Sequence, residues 1–345
     1  MPNVRPQAKQ RRKSSPKESK SRPGRSRRIA SVIALLPCLW LTQSALSQQT
    51  DLVTDIASST NDTLENAGKF LAARARGLEP RFAPFDLSAD YVLLALPLTY
   101  NSNPALVNSG ATRSLHFDPR IQARAATRFD QGDLAFTVSA DLDRYRDLSS
   151  ANSNGVLSVG KLRFSNLAPN QAVTPYLVQQ LSIRMSQTPT DIATISNDLG
   201  GGTSVALPKW TSGNADWTSG LDVSATRRFV THGSNSTSVA VKMAFGYNDH
   251  ELFDASFNPS LRVRWFDTSS IGSRRDTTVI LPAQAGWYPD ALCNFWDGLS
   301  GSIQFSVNAT RNFSNVTARA AKQWDVGPMI ELVSFWGGTT HGCPT

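Results

Sequence analysis

The sequence predicts an all-β fold, a single antiparallel β-barrel of about twelve strands (ten to fourteen), preceded by a short helical segment. From about Asp90 onward, apolar and polar side chains alternate with a period of two, for example from Leu134 to Leu142 and from Ile303 to Ala309. Glycine, asparagine, serine, aspartate and proline collect between the alternating segments. No shift in composition divides residues 90–336, so one large β domain is favoured over two.

Twelve segments fit the alternating pattern, and the sixth and tenth fit it least well. They lie near residues 91–100, 120–129, 134–145, 156–165, 175–186, 190–198, 216–229, 237–248, 259–267, 276–286, 301–312 and 316–336. The last segment contains Gly327-Pro328, where a bend or break is expected. Gly200-Gly201-Gly202 lacks the lysine and the strand-to-helix context of a phosphate loop, so it is interpreted as a flexible turn. Residues 62–76 have apolar side chains at helical spacing and predict the helical segment.

The positive charge of the chain is concentrated at its N-terminus. The formal net charge is +8, yet eleven of the 35 basic residues and only one of the 27 acidic residues lie in residues 1–47. A nucleic-acid-binding domain needs a positive field on its folded part, so no nucleic-acid partner is expected. Arg27-Arg28, an apolar stretch from Ile29 to Leu41 and the small residues Ala45 and Ser47 follow the plan of a secretory signal peptide. A basic tail on a soluble protein is the alternative.

Two architectures suit strands that alternate in this way: a transmembrane β-barrel and an antiparallel sandwich with one buried face. The export signal, the absence of an apolar run long enough for a transmembrane helix, and aromatic residues near strand ends favour the barrel. Large aromatic residues also flank strands in other β proteins. Five N-x-[ST] sequons, one of them at Asn235, keep a secreted sandwich open.

On this pattern the chain resembles the bacterial outer-membrane β-barrel proteins, a broad porin-like class, over about residues 90–336. In that class the last strand ends on an aromatic residue, and Phe335-Trp336 is similar to that terminus. The resemblance implies a location in the bacterial outer membrane and a chain made of four segments. They are a signal peptide (1–47), a periplasmic linker with the helical segment (48–89), the barrel (90–336) and a periplasmic tail (337–345).

The polar face of the predicted strands carries long basic side chains that we expect to line the lumen. They are Arg124, Arg128, Lys161, Arg163, Arg184, Lys242, Arg262, Arg264 and Arg319. Fewer acidic residues share this face, namely Asp141, Asp143, Asp222 and Glu331. Because fixed positive charge raises the local concentration of anions, a passive, weakly anion-preferring channel for small solutes is predicted. Pairing of these charges across strands would instead plug the barrel.

No catalytic, cofactor-binding or metal site is predicted. The four histidines are scattered and show no ligand spacing, and Asp249-His250-Glu251 is interpreted as a solvated loop. Three alternatives to a channel remain: a non-enzymatic surface or scaffold barrel, a secreted β-sandwich that binds glycans, and a barrel enzyme acting on lipid. The last of these needs a catalytic constellation that the sequence does not display. Membrane lipid and small solutes are the expected partners, and the oligomeric state is left open.

Cys293 and Cys343 are expected to form a disulfide. Cys38 lies in the predicted leader, so the exported chain keeps an even pair. With an even number of strands both barrel termini face the periplasm. The tail that contains Cys343 and the connection that contains Cys293 then lie on the same oxidising side.

Overall fold

The computed structural model describes residues 91–335 except 107–109, 166, 168–171, 187–192, 232, 250–251, 268–272, 293–298 and 317–319. The predicted signal peptide, the helical segment 62–76, Trp336 and the tail lie outside the described residues. No described helix is both long and apolar enough to cross a membrane.

Fifteen strands account for most of the described chain. They are β1 (Tyr91–Asn101), β2 (Ser114–Phe117), β3 (Arg120–Phe129), β4 (Gly132–Tyr145), β5 (Ser153–Arg163), β6 (Val173–Ser186), β7 (Ala193–Ala206), β8 (Trp210–Ser212), β9 (Ala215–Val230), β10 (Ser236–Asn248), β11 (Phe253–Phe257), β12 (Ser260–Phe266), β13 (Arg275–Trp287), β14 (Leu299–Ser314) and β15 (Ala321–Phe335). Two single-turn 3₁₀ helices, Ser149–Ala151 and Asp290–Leu292, lie in connections.

The sheet closes on itself. Each strand pairs antiparallel with its neighbours, and β1 pairs with β15 through such positions as Leu93 opposite Val333. Closure gives every spanning strand two hydrogen-bonded neighbours, so the sheet has no free edge. The predicted closed antiparallel barrel is therefore confirmed.

The fifteen strands make twelve spanning segments, as predicted. β2 and β3 keep one register against β1, with His116 opposite Thr99 and Arg120 opposite Ala95, and are separated by Asp118-Pro119. β11 and β12 likewise share one register against β10 and are separated at Pro259. Since proline has no N–H to donate, each proline interrupts the ladder without shifting it. The short β8 only extends the turn before β9.

Two expectations about the strands are wrong. Gly200-Gly201-Gly202 is not a turn, because β7 runs through it to Ala206. A Cβ on Gly202 would lie 2.7 Å from the Tyr176 hydroxyl, so the missing side chain makes room for that ring. Gly327-Pro328 does not break the last strand either, since β15 continues from Ala321 to Phe335.

The two faces of the barrel differ in chemistry. Large apolar side chains on the outward face are exposed, such as Leu177 at 55% and Ile121 at 51%, whereas charged side chains on the inward face, such as Arg124 at 3%, are buried. A sandwich would bury its apolar face, so the secreted-sandwich alternative is wrong. An exposed apolar belt around a closed barrel requires lipid. The protein is thus an outer-membrane β-barrel.

The ends of the barrel can be told apart by the chain termini. Tyr91 and Phe335 lie opposite each other at one end, the terminal end, and the other end is here called the loop end. Outward aromatic residues occur at both ends. Trp217, Tyr247 and Trp287 lie at the terminal end, and Phe229, Trp265, Phe313 and Trp324 at the loop end. These positions match the two interfaces of a bilayer.

Candidate functional site in the barrel lumen

Strand register places the predicted basic side chains. Residues directly opposite each other share a face, and the face that contains the buried Tyr91 is the inward one. Eight of the nine predicted residues lie on it: Arg124, Arg128, Lys161, Arg163, Arg184, Lys242, Arg262 and Arg264. Arg319 lies outside the described residues, as do Cys293 and Cys343. The register also adds Arg120 and Arg228, which the sequence reasoning missed.

Acidic residues on this face are more numerous than the sequence reasoning expected. All ten acidic residues of the described strands face inward: Asp133, Asp141, Asp143, Asp198, Asp216, Asp222, Asp254, Asp276, Asp325 and Glu331. They match the ten inward basic residues in number, so the predicted excess of basic residues on this face is absent from the described strands. Any selectivity then depends on which charges water can reach.

Most inward arginines are buried against carboxylates. Arg228 donates to both oxygens of Asp198, at 2.7 and 2.6 Å. Arg184 contacts Asp143 and lies 3.2 Å from Asp141. Arg120 lies 2.7 Å from Asp118, in the interruption between β2 and β3. These pairs compensate buried charge, and those of Arg228 and Arg184 also join different strands, so they fill the lumen as part of the structure.

His116 lies at the centre of a polar cluster near the loop end. Its Nε2 is 3.2 Å from Asp143 Oδ1, its Nδ1 is 3.3 Å from Thr99 Oγ1, and its ring stacks on Tyr145 at 4.3 Å. His116, Asp118 and Asp143 bring potential ligand atoms within 4.8 Å of one another. However, Arg120 and Arg184 already occupy the two carboxylates. A metal ion would have to displace both guanidinium groups, so the cluster fits an ion-pair network better than a metal site.

A cavity of about 130 Å³ opens beside this cluster. Its polar wall includes His116, Asp118 and Arg184, and its apolar wall includes Leu106 and Met329. Leu106 lies in the β1–β2 connection with a φ of 52°, a left-handed conformation that is unusual for leucine. The connection therefore contributes to the lining of the lumen at the loop end.

The wall formed by β7, β9 and β10 is lined differently. Five inward positions in the middle of these strands carry small side chains, and all five are half-buried. This small-residue wall consists of Gly200, Gly202, Ser224, Thr226 and Ala240. The Tyr176 ring of β6 occupies the space over Gly202, and the other four positions carry no side chain larger than threonine.

Three half-buried basic residues, Lys161, Lys242 and Arg262, border the small-residue wall. Arg262 lies opposite Ala240, and Lys242 lies opposite Asp222. Lys161 places its Nζ 3.9 Å from the centre of the Tyr176 ring, and the Tyr176 hydroxyl donates to Asp222 at 2.7 Å. These charges differ from the buried arginines because water in the lumen reaches them.

A second polar network lies on the opposite side, towards the terminal end. Ser302 donates to Glu331 at 3.0 Å, and Gln304 donates to the Tyr288 hydroxyl at 3.0 Å. Gln284 donates to Gln304 at 2.9 Å. Glu331, Gln304 and Tyr288 are all at most 1% exposed. This side of the lumen is closed by packed side chains, in contrast to the small-residue wall.

One signal in the sequence could have located the histidine cluster. His116, Asp118 and Arg120 alternate with a period of two, and Asp141 and Asp143 do the same. Such spacing puts each group on one face of a strand. Sequence alone did not show that the two groups face each other, because their pairing depends on the register of β2 with β4.

Comparison with known proteins finds only distant structural matches. No protein-family model and no curated protein matches the chain. Among solved structures, the KdgM porin in complex with disordered oligogalacturonate aligns at 5% identity over 71% of this chain and 99% of that one, with a TM-score of 0.34. An outer-membrane channel from Pseudomonas putida F1 aligns at 10% identity over 73% and 97%, with a TM-score of 0.44. LpxR from Salmonella typhimurium aligns at 10% identity over 70% and 100%, with a TM-score of 0.38. Similarity at this level carries no argument about activity.

Proposed function

We propose that this outer-membrane barrel is a passive, weakly anion-preferring channel for small solutes. The small-residue wall is the observation that carries the proposal. A barrel of twelve strands is intermediate between small barrels filled by side chains and wide porins. Gly200, Ser224 and Ala240, on the neighbouring strands β7, β9 and β10, leave one side of such a lumen without bulky side chains. A narrow path for water and solutes follows that wall.

The anion preference rests on which charges border this path. In the described strands the inward face has equal numbers of basic and acidic residues, but several of the arginines and carboxylates, such as Arg228 and Asp198, compensate each other in buried pairs. Lys161, Lys242 and Arg262 are half-buried beside the wall, and Asp222 is the half-buried carboxylate among them. Positive charge that borders a narrow aqueous path attracts anions and repels cations. A modest preference is expected because Asp222 offsets part of this charge.

Planar-bilayer recording under a salt gradient tests the proposal. The wild-type barrel should conduct with a reversal potential on the anion side. The triple variant Lys161→Gln/Lys242→Gln/Arg262→Gln should move the reversal potential towards zero or towards cations. The matched control Arg275→Gln/Arg311→Gln/Lys322→Gln removes the same charge from the outward face, since Arg275 and Lys322 lie opposite Trp265 and Arg311. The control should keep the wild-type reversal potential.

Each other outcome would count against part of the proposal. Equal shifts in both triple variants would show that net charge, and not the lining of the path, sets the selectivity. A cation-selective wild type would overturn the anion preference while leaving a channel. A folded barrel without conductance would overturn the channel itself.

A scaffold barrel with a closed lumen is the second candidate. The buried ion pairs Arg228–Asp198 and Arg184–Asp141 and the network around Glu331 favour it, because they fill much of the cross-section with fixed side chains. In that case the loops would carry the function. The same bilayer recording separates the two candidates.

We propose no enzymatic activity. Thr99, His116 and Asp143 form a hydrogen-bonded row that resembles a nucleophile, a base and an orienting group. Their side chains face the lumen, and Thr99 is only 7% exposed. Arg184 also binds Asp143, so the Asp143 carboxylate contacts both the guanidinium of Arg184 and the ring of His116. The row is better explained as part of the buried network that joins β1, β2 and β4.

A further inference from the structure

On the strands that the structure describes, outward-facing charge is confined to one sign and one end of the barrel. Five basic residues of the described strands face outward, whereas every acidic residue of those strands faces inward. The five are Arg144, Arg227, Arg275, Arg311 and Lys322. All of them lie within a few residues of the loop end, and no described strand has an outward charge in its terminal half. They are here called the basic collar.

Two members of the basic collar are satisfied within the chain. Arg227 donates to Asp267 Oδ1 at 2.8 Å, and Asp267 lies just beyond β12. Arg144 donates to the backbone carbonyl oxygens of Asp143 and Ser153, at 2.7 and 2.9 Å. The other three members, Arg275, Arg311 and Lys322, are exposed on the consecutive strands β13, β14 and β15.

Arg311 and Lys322 form the most unusual part of the basic collar. They occupy directly opposite positions on β14 and β15. Side chains in such positions start about 4.5–5.5 Å apart at Cβ, and like charges placed there repel and destabilise the pairing. An anion held between the two side chains would remove the repulsion. The two side chains are therefore placed to bind one doubly charged oxyanion between them.

The surroundings of this pair are those of a lipid headgroup and not of an aqueous pocket. Trp324 is two residues from Lys322 on the same face and 42% exposed, and Phe313 is two residues from Arg311 and 46% exposed. The Arg311 guanidinium lies 4.5 Å from the centre of the Phe313 ring. Tryptophan and aromatic rings at this level mark the membrane interface, where long basic side chains extend towards phosphates.

We propose that Arg311 and Lys322 bind the phosphate group of a lipid in the leaflet at the loop end. The apolar side chains below the pair, such as Val307 and Ile330, would contact the acyl chains of the same lipid; they are 39% and 49% exposed. Charge complementarity selects phosphate, and the position on the lipid-facing surface selects a lipid over a free anion. This inference is independent of conduction through the lumen.

Thermal unfolding of the full chain in detergent micelles tests the proposal. The probes are phosphatidic acid and diacylglycerol with the same acyl chains, which differ only in the phosphate. Phosphatidic acid should raise the unfolding temperature of the wild type and diacylglycerol should not. For Arg311→Gln/Lys322→Gln, the half-saturating mole fraction of phosphatidic acid should rise at least tenfold, because each basic residue near an anionic surface contributes about fivefold.

Two further variants make the result specific. Lys161→Gln/Lys242→Gln removes the same charge from the lumen and should respond to phosphatidic acid like the wild type. Arg311→Lys/Lys322→Arg keeps both charges and should also respond. Equal responses to phosphatidic acid and diacylglycerol, or an unchanged response in Arg311→Gln/Lys322→Gln, would overturn the proposal. Stabilisation of the wild type by inorganic phosphate at matched concentration would identify a free-anion site and overturn the lipid assignment.

Discussion

Arg228 on β9 and Asp198 on β7 occupy directly opposite positions inside the barrel and are joined by two hydrogen bonds of 2.7 and 2.6 Å. Arg228 is 2% exposed and Asp198 is 8% exposed. The pair lies next to the small-residue wall, and its two opposite charges compensate each other. It shows how this lumen can carry many charges and still fold, because buried guanidinium groups such as those of Arg228 and Arg184 are placed against carboxylates of other strands.

Breaking this pair should destabilise the barrel. Asp198→Asn leaves the Arg228 charge buried without its carboxylate, and the loss of one partner of a buried ion pair costs about 3–5 kcal/mol. Urea titration of the protein in lipid vesicles, followed by tryptophan fluorescence, measures the free energy of unfolding. The double variant Asp198→Leu/Arg228→Met should recover much of the loss, because it removes both charges. Equal stability of Asp198→Asn and the wild type would contradict a buried, structural role.

A bulky side chain on the small-residue wall should block conduction. Ser224→Trp places an indole in the proposed path, so single-channel conductance should fall strongly. Ala225→Trp is the matched control, since Ala225 is the next residue on β9, faces outward and is exposed to lipid. Its conductance should equal that of the wild type. If the two variants conducted equally well, the path would have to lie elsewhere in the lumen.

The seam between the first and last strands should not tolerate a side chain at Gly327. An added Cβ would collide with the Leu98 carbonyl oxygen and lie 2.7 Å from the Thr99 Cα. Overpacking of this kind costs about 1–3 kcal/mol, and the contact is to backbone, which cannot rotate away. Gly327→Ala should therefore lower the urea midpoint. Gly160→Ala, whose nearest new contact would be Phe136 at 3.9 Å, should leave the midpoint near the wild-type value.

Asp267 should titrate below the ordinary range of an aspartate. Hydrogen bonding from Arg227 lowers the pKa of its carboxyl. Because the folded-state pKa lies below the unfolded one, the associated stabilisation is present above the unfolded pKa and is lost as the pH falls through the folded value. Arg227→Gln should return the pKa to the ordinary range, as followed by ¹³C NMR of the labelled carboxyl in micelles. An unchanged pKa in that variant would show that Arg227 is not the cause.

A disulfide between Cys293 and Cys343 remains a prediction. The strands that precede these residues, β13 and β15, both end at the terminal end, where Leu299 lies opposite Ser334. Mass spectrometry of unreduced peptides should find the two cysteines linked. A bond that closes a loop of about 50 residues would add about 3–4 kcal/mol to the free energy of unfolding. Alkylation of both thiols without prior reduction would show that the bond is absent.

The sequence by itself determined the class of fold and the number of strands. Period-two alternation has a direct physical cause, since successive side chains of a strand point to opposite faces, and it is visible in one dimension. Turn residues between the segments then delimit twelve strands. The prediction of a turn at Gly200-Gly201-Gly202 was wrong. Gly202 makes room for the Tyr176 ring of the neighbouring strand, and nothing in the sequence around the glycines shows that this ring lies there.

Only the tertiary structure decided how the charges are arranged. Whether Arg228 meets Asp198, or Arg311 meets Lys322, depends on the register of two strands, and a shift by one residue would move every side chain to the other face. The sequence alone predicts an excess of basic residues on the polar face. Strand register places most of these inward residues beside carboxylates that lie tens of residues away in the sequence. It places the five residues of the basic collar on the lipid-facing side. Charge is a property of residues, but its compensation and its exposure are properties of the closed barrel.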